Sequence, residues 1–164
     1  IDSLKIEGRT KSPYYVARTC QSYRQAIDDA VAGRPFNPRL VGDLDGLANR
    51  GYTPGFYDRH PDREHQNYLK GSSESSRSLY VGDVLGYAAD GLAEIEVKNK
   101  FSVGDRIELI HPAGNSEHVL TQIVGAGDTA INAAPGSGHR VRIAIPRGQE
   151  GAFVARFVNE AATA

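Results

Sequence analysis

Lys5, Glu7 and Arg9 alternate with Leu4 and Ile6 at the start of the chain. A strand through this tract puts the apolar side chains on one face and the charges on the other and at its carboxyl end. In parallel α/β architectures that end is where catalytic groups collect. The three charges therefore read as candidate catalytic groups that hold a substrate carboxylate or phosphate, or as an ion-pair cluster at a barrel mouth. Arg50, Tyr52 and Tyr57 lie in a loop punctuated by Gly51 and Gly55. Guanidinium planes and aromatic faces suit unpaired bases, while the same composition also fits plain loop packing. Lys98 and Lys100 stand two apart around Asn99, presenting either a basic edge to RNA or a charge guard against strand pairing. These five are the candidate substrate-binding residues.

Other eye-catching groups offer less chemistry. His60 and His65, with Asp58, Asp62 and Glu64, sit at irregular spacing in a polar loop, which reads as a solvated segment rather than a metal site. His111, His118 and His139 are scattered and read as surface or turn residues. Residues 135–138 are too short for a phosphate-binding loop, because neither a Lys-Ser/Thr pair nor a helix start follows. No Ser/His/Asp or Cys/His constellation and no His-Glu-x-x-His helix can be assembled. The single cysteine, Cys20, rules out an internal disulfide framework and supplies only one of the several ligands that a zinc or iron–sulfur site takes. No metal site is expected within this segment.

The elements that must position these groups change character near residue 72. Counting charges gives 12 basic and 10 acidic residues over 1–77, then 7 and 10 over 78–164. With a total of −1, attraction to a polyanion has to come from local patches. Residues 71–76 have linker composition, which sets a boundary between a first domain at 1–71 and a second at 72–164. No apolar run approaches the ~18 residues of a membrane span, so a cytoplasmic location without membrane contact is expected. The missing initiator Met and the opening strand suggest the tail of a larger protein.

Before the boundary the pattern is helical. Ser12 as N-cap and Pro13 at the first helical position start a long helix, and Gly33 ends it. Its expected inward stripe is Val16, Cys20, Tyr23, Ile27 and Ala30 or Val31, with Arg18, Gln21, Arg24, Gln25, Asp28 and Asp29 outward. A shorter helix is expected from Asn37 and Pro38 through Leu40, Leu44 and Leu47 to Asn49–Gly51. After the boundary, seven runs punctuated by Gly, Asp, Asn or Pro read as strands: 79–87, 92–97, 106–110, 118–124, 129–133, 140–145 and 152–158. In residues 101–109 a Gly-Asp turn feeds a strand with Ile107 and Leu109 inward and Arg106 and Glu108 outward. Such spacing favours a small closed antiparallel β-barrel, which would remove exposed edges.

Residues 3–9 followed by the helix from Ser12 to Ile27, then residues 49–56, then Val97-Lys98-Asn99-Lys100-Phe101-Ser102-Val103-Gly104-Asp105 closely resemble the carboxyl-terminal part of the U-thirty-two peptidase family, the collagenase-like proteases. The likeness is closest to the branch assigned to prephenate-dependent hydroxylation of the wobble uridine of tRNA. The resemblance implies an α+β fragment. Residues 1 to about 70 would be the last strand and helices of a TIM-like barrel, and the rest a β-barrel similar to those of translation factors. It also implies a parent enzyme that makes 5-hydroxyuridine in tRNA, with an iron–sulfur cluster held by upstream cysteines and prephenate as cofactor. This fragment would be inactive alone, its barrel helping to position RNA. The alternatives are a collagenase-like protease with a substrate-binding barrel, and a purely structural or interaction module. Orphaned helices without their upstream catalytic domain would expose apolar surface, and a non-physiological homodimer is one consequence.

Overall fold

A computed structural model describes residues 2–47 and 78–158. The chain divides into two compact units, Ile1–Arg77 and Ser78–Ala164. The boundary expected between residues 71 and 72 lies outside the described residues, as do Arg50, Tyr52, Tyr57, the His60–His65 loop and the far end of the second helix.

In the first unit, helix α1 spans Pro13–Val31 and α2 spans Arg39–Asp45. Ser12 caps α1 as expected: its extended backbone turns the hydroxyl to accept the Tyr15 N–H at 3.3 Å, and Pro13 sits where no amide proton is needed. At the other end the Ala32 and Gly33 N–H groups return to the carbonyls of Asp28 and Ala30. Ahead of α2 the Asn37 carboxamide oxygen accepts the Arg39 N–H at 3.1 Å.

Two expectations fail in this unit. Residues 2–8 form no strand, because a strand needs a ladder partner and none stands among the unit's described residues. A TIM-like β/α remnant is thus absent from what is described. The buried residues of α1 are Tyr14, Arg18, Thr19 and Ser22, and Cys20 is exposed together with Tyr23, Ile27 and Val31. The reason is the helix pairing. Ser22 and Ala26 line a small apolar hollow with Leu40, Val41 and Leu44 of α2, and Arg18 reaches Asp43 at 3.6 Å. This contact turns α1 so that Tyr23 only borders the hollow, and Cys20, Ile27 and Val31 of the expected stripe stay exposed.

The second unit is a curled antiparallel sheet. Its strands are β1 (Ser78–Tyr87), β2 (Ala93–Val97), β3 (Phe101–Ser102), β4 (Arg106–Ile110), β5 (Ser116–Val119), β6 (Ile123–Val124), β7 (Ala130–Ile131), β8 (Ala133–Ala134), β9 (Arg140–Ile143) and β10 (Phe153–Phe157). Eight of them run in the order β5-β4-β10-β1-β2-β9-β6-β7, and β3 pairs with β8 separately. The sheet is therefore a half-barrel with edges at β5 and β7, rather than the closed barrel expected. The β3 segment bridges toward both edges, with Val103 N–H bonded to Asn132 O and Gly104 N–H to Leu120 O. The expected strand at 118–124 is broken because Leu120 turns into the core and its N–H bonds to Asp105 O at 3.0 Å.

Period-two alternation builds the core. Ala93, Ile95 and Val97 of β2 are buried while Glu94 and Glu96 face out. Val81, Phe101, Ile107, Leu109, Leu120, Ile123, Ile143 and Val154 are among the residues that join them in the core. β1 crosses this core with two bulges, at Tyr80/Gly82 and Val84/Gly86. At Gly82 a Cβ would lie 2.7 Å from both the Glu96 carbonyl oxygen and Ile95 Cγ2, so glycine sets how closely β1 and β2 approach. Arg106 is outward as expected, but Glu108 is buried, where the Asn115 side-chain N–H bonds to its carboxylate at 3.0 Å.

Candidate nucleic-acid interface

In the first unit the alternation of residues 4–9 survives without a strand. Leu4 and Ile6 line an open groove of about 820 Å³ with Cys20, Tyr23 and Ile27, whereas Lys5, Glu7 and Arg9 do not line it. Glu7 accepts the Arg9 N–H at 3.0 Å, and their side chains meet at 4.0 Å with 59% and 85% exposure. Such an exposed pair contributes little energy, and none of the three charges lines the groove.

In the second unit Lys98 is engaged with its own sheet. Its ammonium lies 2.8 Å from the Glu96 carboxylate and 3.6 Å from that of Asp83. The Glu96 hydrogen bond holds the Lys98 ammonium above its ordinary range, and the same bond, with Arg140 adding, holds the Glu96 carboxyl below its own. Tyr80 donates to Asp83 at 2.5 Å; burial first, then this bond, push its phenol well above the ordinary value. Asn99 donates from its side chain to Tyr80 O at 2.8 Å. The β2 end is thus fixed by a polar network.

Lys100 is exposed just beyond that network. The Phe101–Ala134 register places it beside Pro135, and Val97 N–H bonds to His139 O at 2.9 Å. The two segments 98–100 and 135–139 therefore leave the sheet together. Arg140 and Arg142 follow on one face of β9, opposite Glu96 and Glu94 of β2. Arg142 pairs with Asp90 from the β1–β2 turn and with Asp128 from the loop after β6. Asp128 has φ 58°, the one non-glycine in the left-handed region among the described residues. Around these residues run two shallow clefts that share Val124 and Arg142.

Sequence reasoning singled out Lys98 and Lys100 but missed Arg140, Arg142, Asp90 and Asp128. The available signal was Arg140-Val141-Arg142-Ile143, whose period of two matches Glu94-Ile95-Glu96. Elsewhere His118 Nε2 lies 3.0 Å from Ser116 Oγ, and His111 Nδ1 accepts the Ala113 N–H. Among the described residues no three His, Cys, Asp or Glu side chains come together as a metal-binding group. No helix among them is long and apolar enough to cross a membrane.

Comparison with known proteins agrees along most of the chain. Residues 1–67 match the model of peptidase family U32, and residues 76–156 match that family's C-terminal domain. The chain is 51% identical over 150 residues to "tRNA hydroxylation protein P" of Escherichia coli, which covers 92% of this chain and 33% of the relative. It is 31% identical over 117 residues to a protein named "Collagenase" from Porphyromonas gingivalis, covering 66% of this chain and 27% of that one. A crystal structure of the C-terminal domain of a Geobacillus thermoleovorans U32 peptidase aligns with 27% identity and a TM-score of 0.43, over 49% of this chain and 92% of that one. The chain spans about a third of the length of the tRNA hydroxylation protein it matches. With both of the family's segments matched in order, this chain belongs to peptidase family U32.

Proposed function

We propose that this chain is the carboxyl-terminal part of an enzyme that hydroxylates the wobble uridine of tRNA, and that its β unit helps to position the RNA. The observation that carries the reading is the 51% identity, over nearly the whole chain, to a protein named for tRNA hydroxylation. Exposed Lys100 and Arg140 on one end of the sheet suit an anionic polymer.

The first unit then serves as a docking element for an upstream catalytic domain of the same polypeptide. Its uncovered groove, with Leu4, Tyr23 and Ile27 all at least 37% exposed, is apolar surface of the kind that a further layer of protein covers. Lys5, Glu7 and Arg9 are exposed and do not line the groove; Lys5 and Arg9 are the groups that would meet an anionic substrate or cofactor carboxylate, with Glu7 holding Arg9. Prephenate is the oxygen-donor cofactor in this reading. The iron–sulfur cluster does not fit the present donor set: one exposed cysteine, Cys20, cannot supply the several ligands a cluster needs, so its ligands belong to the upstream domain. The β unit contributes binding and orientation.

The likeness to a protein named collagenase keeps a protease as the second reading. The two are separated by expressing a full-length polypeptide that contains this chain in cells lacking their own tRNA hydroxylation. Digested tRNA should regain 5-hydroxyuridine by mass spectrometry, and the purified protein should leave gelatin intact. Gelatin cleavage without nucleoside restoration would reverse the choice.

A further inference from the structure

We propose that the rim built by Lys98–Lys100 and His139–Arg140 docks the phosphate backbone of single-stranded RNA, with an unpaired nucleotide entering the cleft that runs from Arg140 to Arg142. This rests on the reading of the chain as part of a tRNA-modifying protein and adds the surface and the form of RNA it takes.

Exposed cations mark this rim. The second half of the chain carries 7 basic against 10 acidic residues, so attraction to a polyanion has to come from a local patch. Arg106 is offset by Glu117 at 3.8 Å, and Arg142 by both Asp90 and Asp128. At the rim, Lys98 is held by Glu96 and Asp83, Arg140 stands opposite Glu96 and shares the adjoining cleft with Glu94, and Lys100 has no ion pair among the described residues. Lys100 and Arg140 are the exposed cations there. Lys100, His139 and Arg140 are exposed, and the pairing of Phe101 with Ala134 and of Val97 with His139 holds them side by side on ordered backbone. Gly136 and Gly138, at φ 123° and 87°, carry no side chain and let a backbone pass close to the loop.

The adjoining cleft explains a preference for unpaired RNA. It is lined by Glu94, Val124, Gly125, Arg140, Val141 and Arg142 and holds about 120 Å³, too little for a duplex groove wall but open to one splayed base. Val124 offers an apolar contact, the guanidiniums offer stacking planes and donors, and Glu94 offers an acceptor for base N–H groups. The sugar-phosphate chain on either side of that base passes the rim cations.

The test measures binding of a short unstructured RNA oligonucleotide to the 164-residue chain by fluorescence polarisation, from low to physiological salt. Lys100→Gln and Arg140→Gln are compared with Arg106→Gln, each losing one charge, and thermal melting checks that all three fold. Each rim variant should weaken binding several-fold at low salt and flatten the plot of log affinity against log salt by about 0.7. Arg106→Gln should leave that slope unchanged, and a duplex of equal length should bind less tightly than the single strand. Equal effects at all three positions, no effect at the rim, or tighter binding of the duplex would overturn the assignment. If the unaltered chain fails to bind while the full-length polypeptide still restores 5-hydroxyuridine, this assignment falls alone. Loss of that restoration removes the functional reading itself.

Discussion

Two glycines on one strand offer a controlled measurement of how tightly the β unit is built. Replacing Gly82 by Ala puts a methyl carbon 2.7 Å from the Glu96 carbonyl oxygen and 2.7 Å from Ile95 Cγ2, whereas at Gly86 nothing lies within 4 Å. Neither neighbour of Gly82 can retreat easily. The carbonyl is main chain in a strand paired on both sides, and Ile95 is fully buried. Overpacking of this kind costs about 1–3 kcal/mol. For a domain of this size each kcal/mol lowers the melting temperature by roughly 4–8 °C, so Gly82→Ala should lower it by about 4–24 °C. Gly86→Ala, which restricts the unfolded chain and meets no neighbour, should be neutral or stabilising by up to ~1 kcal/mol. Circular dichroism melts of the two variants, read at a strand-sensitive wavelength, give the comparison. Equal shifts in both variants would refute the close β1–β2 approach, and with it the placement of Lys98 and Glu96 that depends on it.

Two further outcomes follow from the same geometry. Because burial and the Asp83 bond raise the Tyr80 phenol above its unfolded value of about 10, its contribution to stability is complete below that pH and is lost as pH rises toward the folded value; Tyr80→Phe should flatten the alkaline fall in stability measured by denaturant titration. Cys20, exposed in the groove, should react readily with a thiol reagent in the 164-residue chain and more slowly in the full-length polypeptide, where equal reactivity would argue against docking at that groove.

Local chemistry was readable where it is self-contained. Ser12 and Pro13 announce the start of α1 because a cap acts within its own turn. The alternation in Ala93-Glu94-Ile95-Glu96-Val97 announces a half-buried strand for the same reason, whereas β4, read as alternating, is buried on both faces from Ile107 to Ile110. Which face of α1 is buried was not readable, since the choice depends on what α2 presents. Leu40, Val41 and Leu44 gather with Ser22, Tyr23 and Ala26 around one hollow, while Cys20, Ile27 and Val31 stay exposed. The break at Leu120 carries no Gly or Pro signal; it arises from a backbone bond to Asp105 that only the folded sheet supplies. Asp90, Asp128 and Arg142 likewise meet through the pairing of β9 with β2 and β6, across separations no local pattern spans. Lys98 was visible, but its capture by Glu96 and Asp83 depends on the bulged path of β1.

The role proposed for the β unit is tested most directly by removing it. In cells without their own tRNA hydroxylation, the full-length polypeptide should restore 5-hydroxyuridine to tRNA, and a version lacking residues 78–158 but still soluble should leave that nucleoside at background. Undiminished 5-hydroxyuridine from the shortened protein would contradict the account.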